Sequence, residues 1–222
     1  MITIKKGQEP RSLTIFKAKG GEKFDNLDAK TKEDIREALL KEQGFLCAYC
    51  MKRIGRDKNE DGYYKDVKIE HIKPRSITQQ SADRKERLLE LDFNNLVAVC
   101  NGITNGVTHC DTSKENQTIA IHPCNSNVEY SISYGLKDGE IKSNNEQWND
   151  DLNNEKKLNL NFSTIKLNRI SALEGIKESL KKDKNWSSSH LSRKLNDLEQ
   201  SPKKMPYIGI IKYYLRKKLS SL

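Results

Sequence analysis

One stretch of the chain, from Cys47 to Lys114, constrains the fold more than any other feature. It begins with the motif Cys47-Ala-Tyr-Cys50, and it contains Cys100 and Cys110 near its end. Two thiolates separated by two residues on a tight turn can reach the same zinc ion. The spacing of the first two cysteines therefore predicts a zinc knuckle.

The number and setting of the cysteines favour metal binding over disulfides. There are five cysteines, an odd number, and the first residues carry charge without the apolar run of a signal peptide. No stretch approaches the roughly 20 apolar residues of a membrane-spanning helix. We therefore expect a cytoplasmic protein with reduced thiols and no membrane association. A redox Cys-x-x-Cys pair is the alternative, but it would follow a strand in a βαβ unit, and that pattern is not present.

The composition is compatible with a polyanionic partner. Charged residues make up 32% of the chain and hydrophobic residues 35%, and the net charge is +9. Lysine and arginine neutralise phosphates and release the counterions held there, so a basic chain favours nucleic acid binding. Many lysine-rich proteins bind no nucleic acid, however, and composition alone leaves both interpretations open.

Two short strands are predicted between the cysteine motifs. Residues 67–71 are β-branched and alternate in polarity, which is typical of a strand, and residues 93–99 form a turn into a second strand. Residues 101–108 contain two glycines and are predicted to be a loop. A short helix is predicted over 111–117, so the expected order is strand, strand, helix.

The flanking regions are predicted to be mixed. A helix over 30–44, with Thr31 as its N-cap, leads into the first cysteine motif. From Ser163 onwards apolar residues recur at helical spacing, which predicts a helical C-terminal part. Residues 75–91 are basic and form a loop or short helix, interpreted either as a solvated face or as a phosphate-contacting face. Strands are predicted at 119–121, 128–134 and 139–142.

Glu70 and His71, at the end of the first predicted strand, have the chemistry for phosphodiester hydrolysis. A carboxylate holds a hard divalent cation such as Mg²⁺, and an imidazole takes a proton from an attacking water near neutral pH. Asp111 directly follows Cys110, so a metal-bound Cys110 would fix its backbone and make it a candidate second ligand. Asn95, where the second strand starts, is a candidate to hydrogen-bond the loop that holds His71.

These features together resemble the HNH endonuclease family in its four-cysteine, ββα-metal form. The matching residues are Cys47-x-x-Cys50, Ile69-Glu70-His71-Ile72-x-Pro74, Asn95-Leu96, Cys100 and Cys110-Asp111-x-x-Lys114. The resemblance implies a structural zinc held by the four cysteines, namely Cys47, Cys50, Cys100 and Cys110. It also implies a catalytic Mg²⁺ or Mn²⁺ bound by Glu70 and Asp111.

The resemblance assigns further roles to single residues. His71 is expected to be the general base, and Asn95 to support its loop. The candidate contacts to substrate phosphate are Lys73 and Lys114. Where the family usually has a second Cys-x-x-Cys, nine residues separate Cys100 from Cys110. Cys110 is the expected fourth zinc ligand, and the alternatives are His109 and Cys124.

Features outside this stretch resemble the PtuB-type nucleases of bacterial Septu and some retron anti-phage systems. The matching features are the Cys-Ala-Tyr-Cys motif, the long loop before His109-Cys110-Asp111, the segment from Lys157 through Arg169, and the closing stretch Tyr207–Arg216. The resemblance implies a role in defence against phage. It also implies a partner, an ATPase subunit of the PtuA type that restrains or directs the nuclease.

The sequence therefore predicts an α+β protein with a ββα-metal core and a helical C-terminal extension. Its expected parts are an N-terminal segment with a lead-in helix (1–44), a nuclease core (45–118) and a strand-hairpin and helical region (119–222). The expected function is metal-dependent cleavage of nucleic acid phosphodiesters, with DNA favoured. The alternatives are a zinc-stabilised nucleic-acid-binding or adaptor subunit without turnover, and the same chemistry acting on RNA.

Overall fold

Short strands packed among helices make up the chain, which confirms the predicted α+β class. The computed structural model describes residues 1–183 and 186–222. The helices are α1 (Arg11–Ala18), α2 (Ala29–Glu42), α3 (Arg75–Thr78), α4 (Arg84–Arg87), α5 (Cys110–Lys114), α6 (Glu146–Asn153), α7 (Ser163–Asp183), α8 (Ser188–Gln200) and α9 (Ile208–Leu219). The strands are β1 (Lys68–His71), β2 (Leu96–Val99), β3 (Ile103–Thr104), β4 (Val107–Thr108), β5 (Ile132–Tyr134) and β6 (Ile141–Ser143). Within the described ranges, no helix is both long and apolar enough to cross a membrane.

Strands β1 and β2 pair antiparallel in the order predicted, and α5 follows them. His71 lies opposite Leu96 at the end of the pair. The buried side chain of Gln43, just after α2, continues the pairing on the other edge of β2. It accepts the backbone N–H of Ala98 at 2.7 Å and donates to the Ala98 carbonyl at 2.8 Å. Because unpaired backbone groups in a protein interior cost free energy, this amide does what a third strand would otherwise do.

Helix α2 begins earlier than predicted. Its N-cap is Asp28, whose carboxylate accepts the backbone N–H of Thr31 at 2.6 Å. Thr31, the predicted cap, instead lies buried inside the first turn. A carboxylate at this position satisfies an unpaired N–H and also interacts favourably with the positive end of the helix dipole, which explains why Asp28 starts the helix.

The strand predicted over 119–121 does not form, because a carboxylate satisfies its backbone. The N–H groups of Ala120 and Ile121 both donate to Asp151 Oδ2, at 2.6 and 2.9 Å. The other oxygen of the buried Asp151 carboxylate pairs with Lys157 at 2.5 Å. The segment therefore needs no neighbouring strand and stays irregular.

The hairpin predictions had different outcomes. Residues 101–108 were predicted to be a loop, but β3 and β4 pair around Asn105 and Gly106. Both turn residues have positive φ, of 50° and 77°, as a tight two-residue hairpin turn requires. The hairpin return predicted near 139–142 is confirmed by the pairing of β5 with β6, although β5 is shorter than the strand predicted over 128–134.

The C-terminal part is helical, as predicted, and it supports the first cysteine motif directly. Helix α9 packs against α7, α8 and β5. The backbone N–H of Tyr207, just before α9, donates to the carbonyl of Met51 at 3.0 Å. At Gly209 a Cβ atom would lie 2.4 Å from the Tyr134 hydroxyl oxygen and 3.0 Å from the Met51 sulfur, so this close approach requires glycine. One hydrophobic core joins residues from all three predicted segments.

Asp151→Ala is expected to lower the free energy of unfolding by about 3 kcal/mol, because two backbone N–H groups and the Lys157 ammonium lose a buried partner. Urea unfolding followed by circular dichroism measures the change. The control is Asp150→Ala, since Asp150 also pairs with Lys157, at 2.8 Å, but is 54% exposed. We expect little change there, and equal losses in the two variants would contradict the role given to Asp151.

Candidate functional site

Four buried cysteines form a group that can hold a metal ion. They are Cys47, Cys50, Cys100 and Cys110, and their sulfur atoms all lie within 4.8 Å of one another. The Cys47–Cys110 and Cys50–Cys100 sulfur pairs are each 3.9 Å apart. In a tetrahedral site with Zn–S bonds of about 2.3 Å, the sulfur atoms are about 3.8 Å apart. The donor set and its spacing therefore suit zinc.

The ionisation of these sulfurs also favours a bound cation. Hydrogen bonds from the neighbouring thiols, Cys110 first, hold the pKa of Cys100 far below its ordinary value. The thiolate at Cys100 in turn raises the pKa of Cys50, and burial raises the pKa of Cys110. Without a cation Cys50 and Cys110 thus keep their protons beside a Cys100 thiolate. A metal ion that binds all four sulfurs offsets the repulsion between thiolates and lets all of them lose their protons.

The structure groups Cys110, and neither of its two alternatives, with the other three cysteines. His109 Nδ1 lies 3.1 Å from the Cys110 sulfur, and its Nε2 lies 3.0 Å from Thr104 Oγ1. An imidazole that donates to the sulfur and accepts the threonine hydroxyl satisfies both contacts, so His109 orients the ligand. Cys124 lies outside the group, and burial raises the pKa of its thiol to about 11.

An open cleft of about 520 Å³ lies next to the cysteine group, and three of the four predicted catalytic residues line it. Glu70 and His71 enter from the end of β1, and Asp111 enters from α5. Since Asp111 directly follows Cys110, a metal ion on the cysteine group would fix the backbone that carries this carboxylate. The structure therefore brings together residues from two separate elements that the sequence predicted to act together.

The carboxyl group of Glu70 is buried among groups that control its charge. Burial raises the pKa of Glu70 to about 8; the Asp111 carboxyl within hydrogen-bonding reach adds to the rise, and Lys114 opposes it. Lys114 Nζ lies 2.8 Å from Glu70 Oε1, and the Tyr49 hydroxyl donates to the same oxygen at 3.4 Å. Glu70 thus keeps its proton at pH 7 beside the Asp111 carboxyl, and a divalent cation would replace that proton, since Mg²⁺ binds through one or two carboxylates plus water and phosphate. Glu70 and Asp111 therefore fit such an ion.

His71 has a neutral ring with a defined tautomer. Burial lowers the pKa of His71 to about 4, so the imidazole is neutral at pH 7. Its Nε2 lies 3.0 Å from the carbonyl oxygen of Glu90. A carbonyl can only accept, so Nε2 carries the proton and Nδ1 keeps its lone pair. Across residues 1–183 and 186–222, no hydrogen bond engages Nδ1, and Phe24 packs edge-on against the ring with centroids 4.7 Å apart.

Asn95 joins the turn after β1 to the turn before β2. Its Oδ1 accepts the backbone N–H of Lys73 at 2.8 Å. Its Nδ2 donates to the carbonyls of Lys73, at 3.2 Å, and of Leu89, at 3.0 Å. The side chain is not among the residues that line the cleft. It therefore holds the segment after His71 through backbone contacts, in the position that the sequence led us to expect.

The two lysines predicted to contact phosphate are both engaged by carboxylates. Lys114 is fully buried and paired with Glu70, which suits charge balance inside the site. Lys73 is 36% exposed, pairs with Glu86 at 2.8 Å and does not line the cleft. Their contact with phosphate stays a prediction. The partly exposed basic residues that line the cleft are Lys68 and Arg75.

Tyr49 and Glu90 take part in the site but were not identified from the sequence. Tyr49 stands between the first two cysteines, and its place in the predicted zinc-binding turn was a signal that its side chain lies near the site. Glu90 acts on His71 through its backbone carbonyl. Every residue type carries that group, so no sequence pattern could have indicated it.

No known protein-family model matches the chain, and no curated protein does either. Functional assignment therefore depends on the residues and on their geometry. The cysteine group, the paired carboxyls and the oriented histidine are the features that carry it.

The purified chain is expected to contain about one zinc ion, and Cys100→Ser is expected to lower both zinc content and stability. Loss of about 4 kcal/mol would lower the melting temperature by roughly 10 °C in a chain of this size. Elemental analysis and thermal unfolding measure the two effects. Cys124→Ser is the matched control and should keep the zinc; zinc loss in that variant alone would mean that the ligand set is wrong.

Proposed function

We propose that the chain is a metal-dependent endonuclease of the HNH type that cleaves nucleic acid phosphodiesters, with DNA the favoured substrate. One observation carries the proposal: Glu70, His71 and Asp111 converge in an open cleft next to four clustered cysteines. The order β1, β2, α5 supports a ββα-metal core, since the histidine ends the first strand and the second carboxylate lies on the helix.

In this proposal His71 is the general base. Its neutral ring accepts a proton at Nδ1 from a water molecule, whose oxygen forms a bond to phosphorus. The ester bond between phosphorus and the leaving oxygen breaks, and that oxygen takes a proton from solvent. The Glu90 carbonyl holds the proton on Nε2 throughout, so the ring presents the correct nitrogen to the water.

Glu70 and Asp111 are the proposed holders of Mg²⁺ or Mn²⁺. When bound, such an ion stabilises the negative charge on the phosphate and on the leaving oxygen. Lys114 and Tyr49 hold the Glu70 carboxyl in place from the buried side. Zinc at the cysteine group is structural in this proposal, because four sulfur ligands leave no open position for water or substrate.

Four acidic and three basic side chains line the cleft, so support for a polyanionic substrate comes from its exposed cations and from a divalent ion that would offset the carboxylates. Lys68 and Arg75 lie at its surface, and the whole chain carries a net charge of +9. A nucleic-acid-binding adaptor without turnover would have no use for an oriented, uncharged histidine beside two carboxyls. DNA and RNA share the phosphodiester, so the choice between them belongs to the cleavage test.

The biological setting is a proposal that rests on the resemblance to PtuB-type nucleases. We place the chain in the cytoplasm, where its five free cysteines stay reduced. Its proposed partner is an ATPase subunit of the PtuA type, and its proposed role is defence against phage.

His71→Ala is expected to reduce cleavage by about 10²- to 10⁴-fold, which is the usual contribution of a general base. The assay offers plasmid, single-stranded DNA and total RNA, with and without Mg²⁺ or Mn²⁺. The matched control is His122→Ala, because His122 is a partly buried histidine that does not line the cleft.

Metal-dependent cleavage that His71→Ala removes and His122→Ala keeps would support the nuclease, and the polymer consumed would identify the substrate. Normal cleavage by His71→Ala would show that the base is wrongly assigned. If nothing is cleaved, the assay is repeated with the ATPase partner; inactivity there as well would favour an adaptor.

A further inference from the structure

An ion pair at the mouth of the cleft has no role in the chemistry described above. Arg75 Nη1, at the start of α3, lies 2.5 Å from Asp25 Oδ1. Both residues line the cleft together with His71 and Asp111. The arginine side chain is 36% exposed and the aspartate 71% exposed, so both groups are accessible from solvent.

Asp25 is brought to the cleft by a rim segment, residues 22–26, that is far away in sequence. Phe24 anchors this segment, because its ring packs against His71 and its backbone N–H donates to Glu90 Oε2 at 3.3 Å. Glu90 is also the residue whose carbonyl orients His71. The backbone that carries Asp25 is therefore anchored next to His71.

A carboxylate and a phosphate bind guanidinium through the same charge-assisted hydrogen bonds. An exposed ion pair contributes little stability, so exchange of one anion for the other costs little. The other exposed cation of the cleft, Lys68, has a side chain that is 47% exposed and lies on the side of α5. Its Nζ is 3.1 Å from Thr112 Oγ1 and 4.0 Å from Asp111 Oδ2. Arg75 thus supplies a guanidinium to the cleft. The Asp25 carboxylate, to which it is paired, is an anion that a phosphate can replace.

We propose that Arg75 binds a backbone phosphate of the nucleic acid substrate and that Asp25 occupies the place of this phosphate in the free chain. The inference rests on the proposed function, because it requires nucleic acid to enter this cleft. It adds a substrate-binding residue and a competing internal anion to that function. Binding then breaks the Asp25–Arg75 pair and leaves the Asp25 carboxylate in solvent.

The same rim segment supplies a matched comparison. Glu22 pairs with Arg84 at 2.8 Å, and both side chains are more than half exposed. Neither residue lines the cleft. Glu22→Gln and Asp25→Asn therefore remove the same charge from the same segment, but only the second substitution frees a guanidinium inside the cleft.

The test is the affinity for a short fluorescein-labelled DNA oligonucleotide, measured by anisotropy without added Mg²⁺ or Mn²⁺ and without chelator. We expect Arg75→Ala to weaken binding about fivefold to tenfold and to reduce the dependence on salt by about one phosphate contact. Asp25→Asn should tighten binding by about twofold to fivefold, as loss of a competing surface ion pair allows. Glu22→Gln should change it less than about twofold at physiological salt.

The double variant makes the test specific. Asp25 is proposed to act through Arg75, so Asp25→Asn should have no effect in the Arg75→Ala background. Equal tightening by Asp25→Asn and Glu22→Gln, tightening that persists without Arg75, or the absence of DNA binding would each overturn the inference. Thermal unfolding checks that the variants are folded, and if Arg75→Ala is not, Arg75→Gln replaces it.

The outcome also separates this inference from the nuclease proposal. Normal metal-dependent cleavage with unchanged affinity in Arg75→Ala would overturn the phosphate site alone. No cleavage by the chain, with the expected pattern of affinities, would support the phosphate site and count against the nuclease.

Discussion

Four buried sulfur atoms within 4.8 Å of one another are the constraint on which the rest of the structure depends. Thiolates at this distance repel, so they need a cation and nearby donors. His109 approaches one sulfur from β4's side of the group, and burial lowers the pKa of the Arg169 guanidinium, a shift that Tyr134, Cys50 and Cys110 oppose. Arg169 donates to the carbonyls of Gly139 and Leu160, at 2.9 and 2.7 Å. Arg169 thus joins α7 to the segments around Gly139 and Leu160.

The positions of the cleft residues depend on the sulfur group. Cys110 and Asp111 are adjacent, and Tyr49 between the first two cysteines reaches Glu70. Two charged groups of the cleft have an internal partner: Glu70 pairs with Lys114, and Arg75 pairs with Asp25. A divalent ion and a phosphate would bring the opposite charges to these same groups. A phosphate at Arg75 would release only the exposed Asp25 carboxylate, and the fully buried Lys114 would keep its contact with Glu70.

Two errors in the predicted elements come from aspartate side chains that accept backbone N–H groups. Asp28 capped α2 ahead of Thr31, and Asp151 satisfied the segment 119–121 in place of a strand. The missed hairpin is different, because Asn105-Gly106 is a local signal that the sequence did contain. Local signals of this kind can be recognised in advance, whereas a distant carboxylate cannot.

By itself, the sequence determined the residue types of the site: the cysteine spacing, Glu70-His71 at a strand end, Asp111 after Cys110, and Asn95 before β2. These could be predicted because each is a local pattern with a chemical meaning. Only the tertiary structure decided that Cys110 rather than Cys124 completes the sulfur group, that the Glu90 carbonyl places the proton of His71 on Nε2, and that Asp25 holds Arg75. The physical reason is that these are contacts between distant segments. They depend on backbone atoms and on charge neighbours that the folded chain alone brings together.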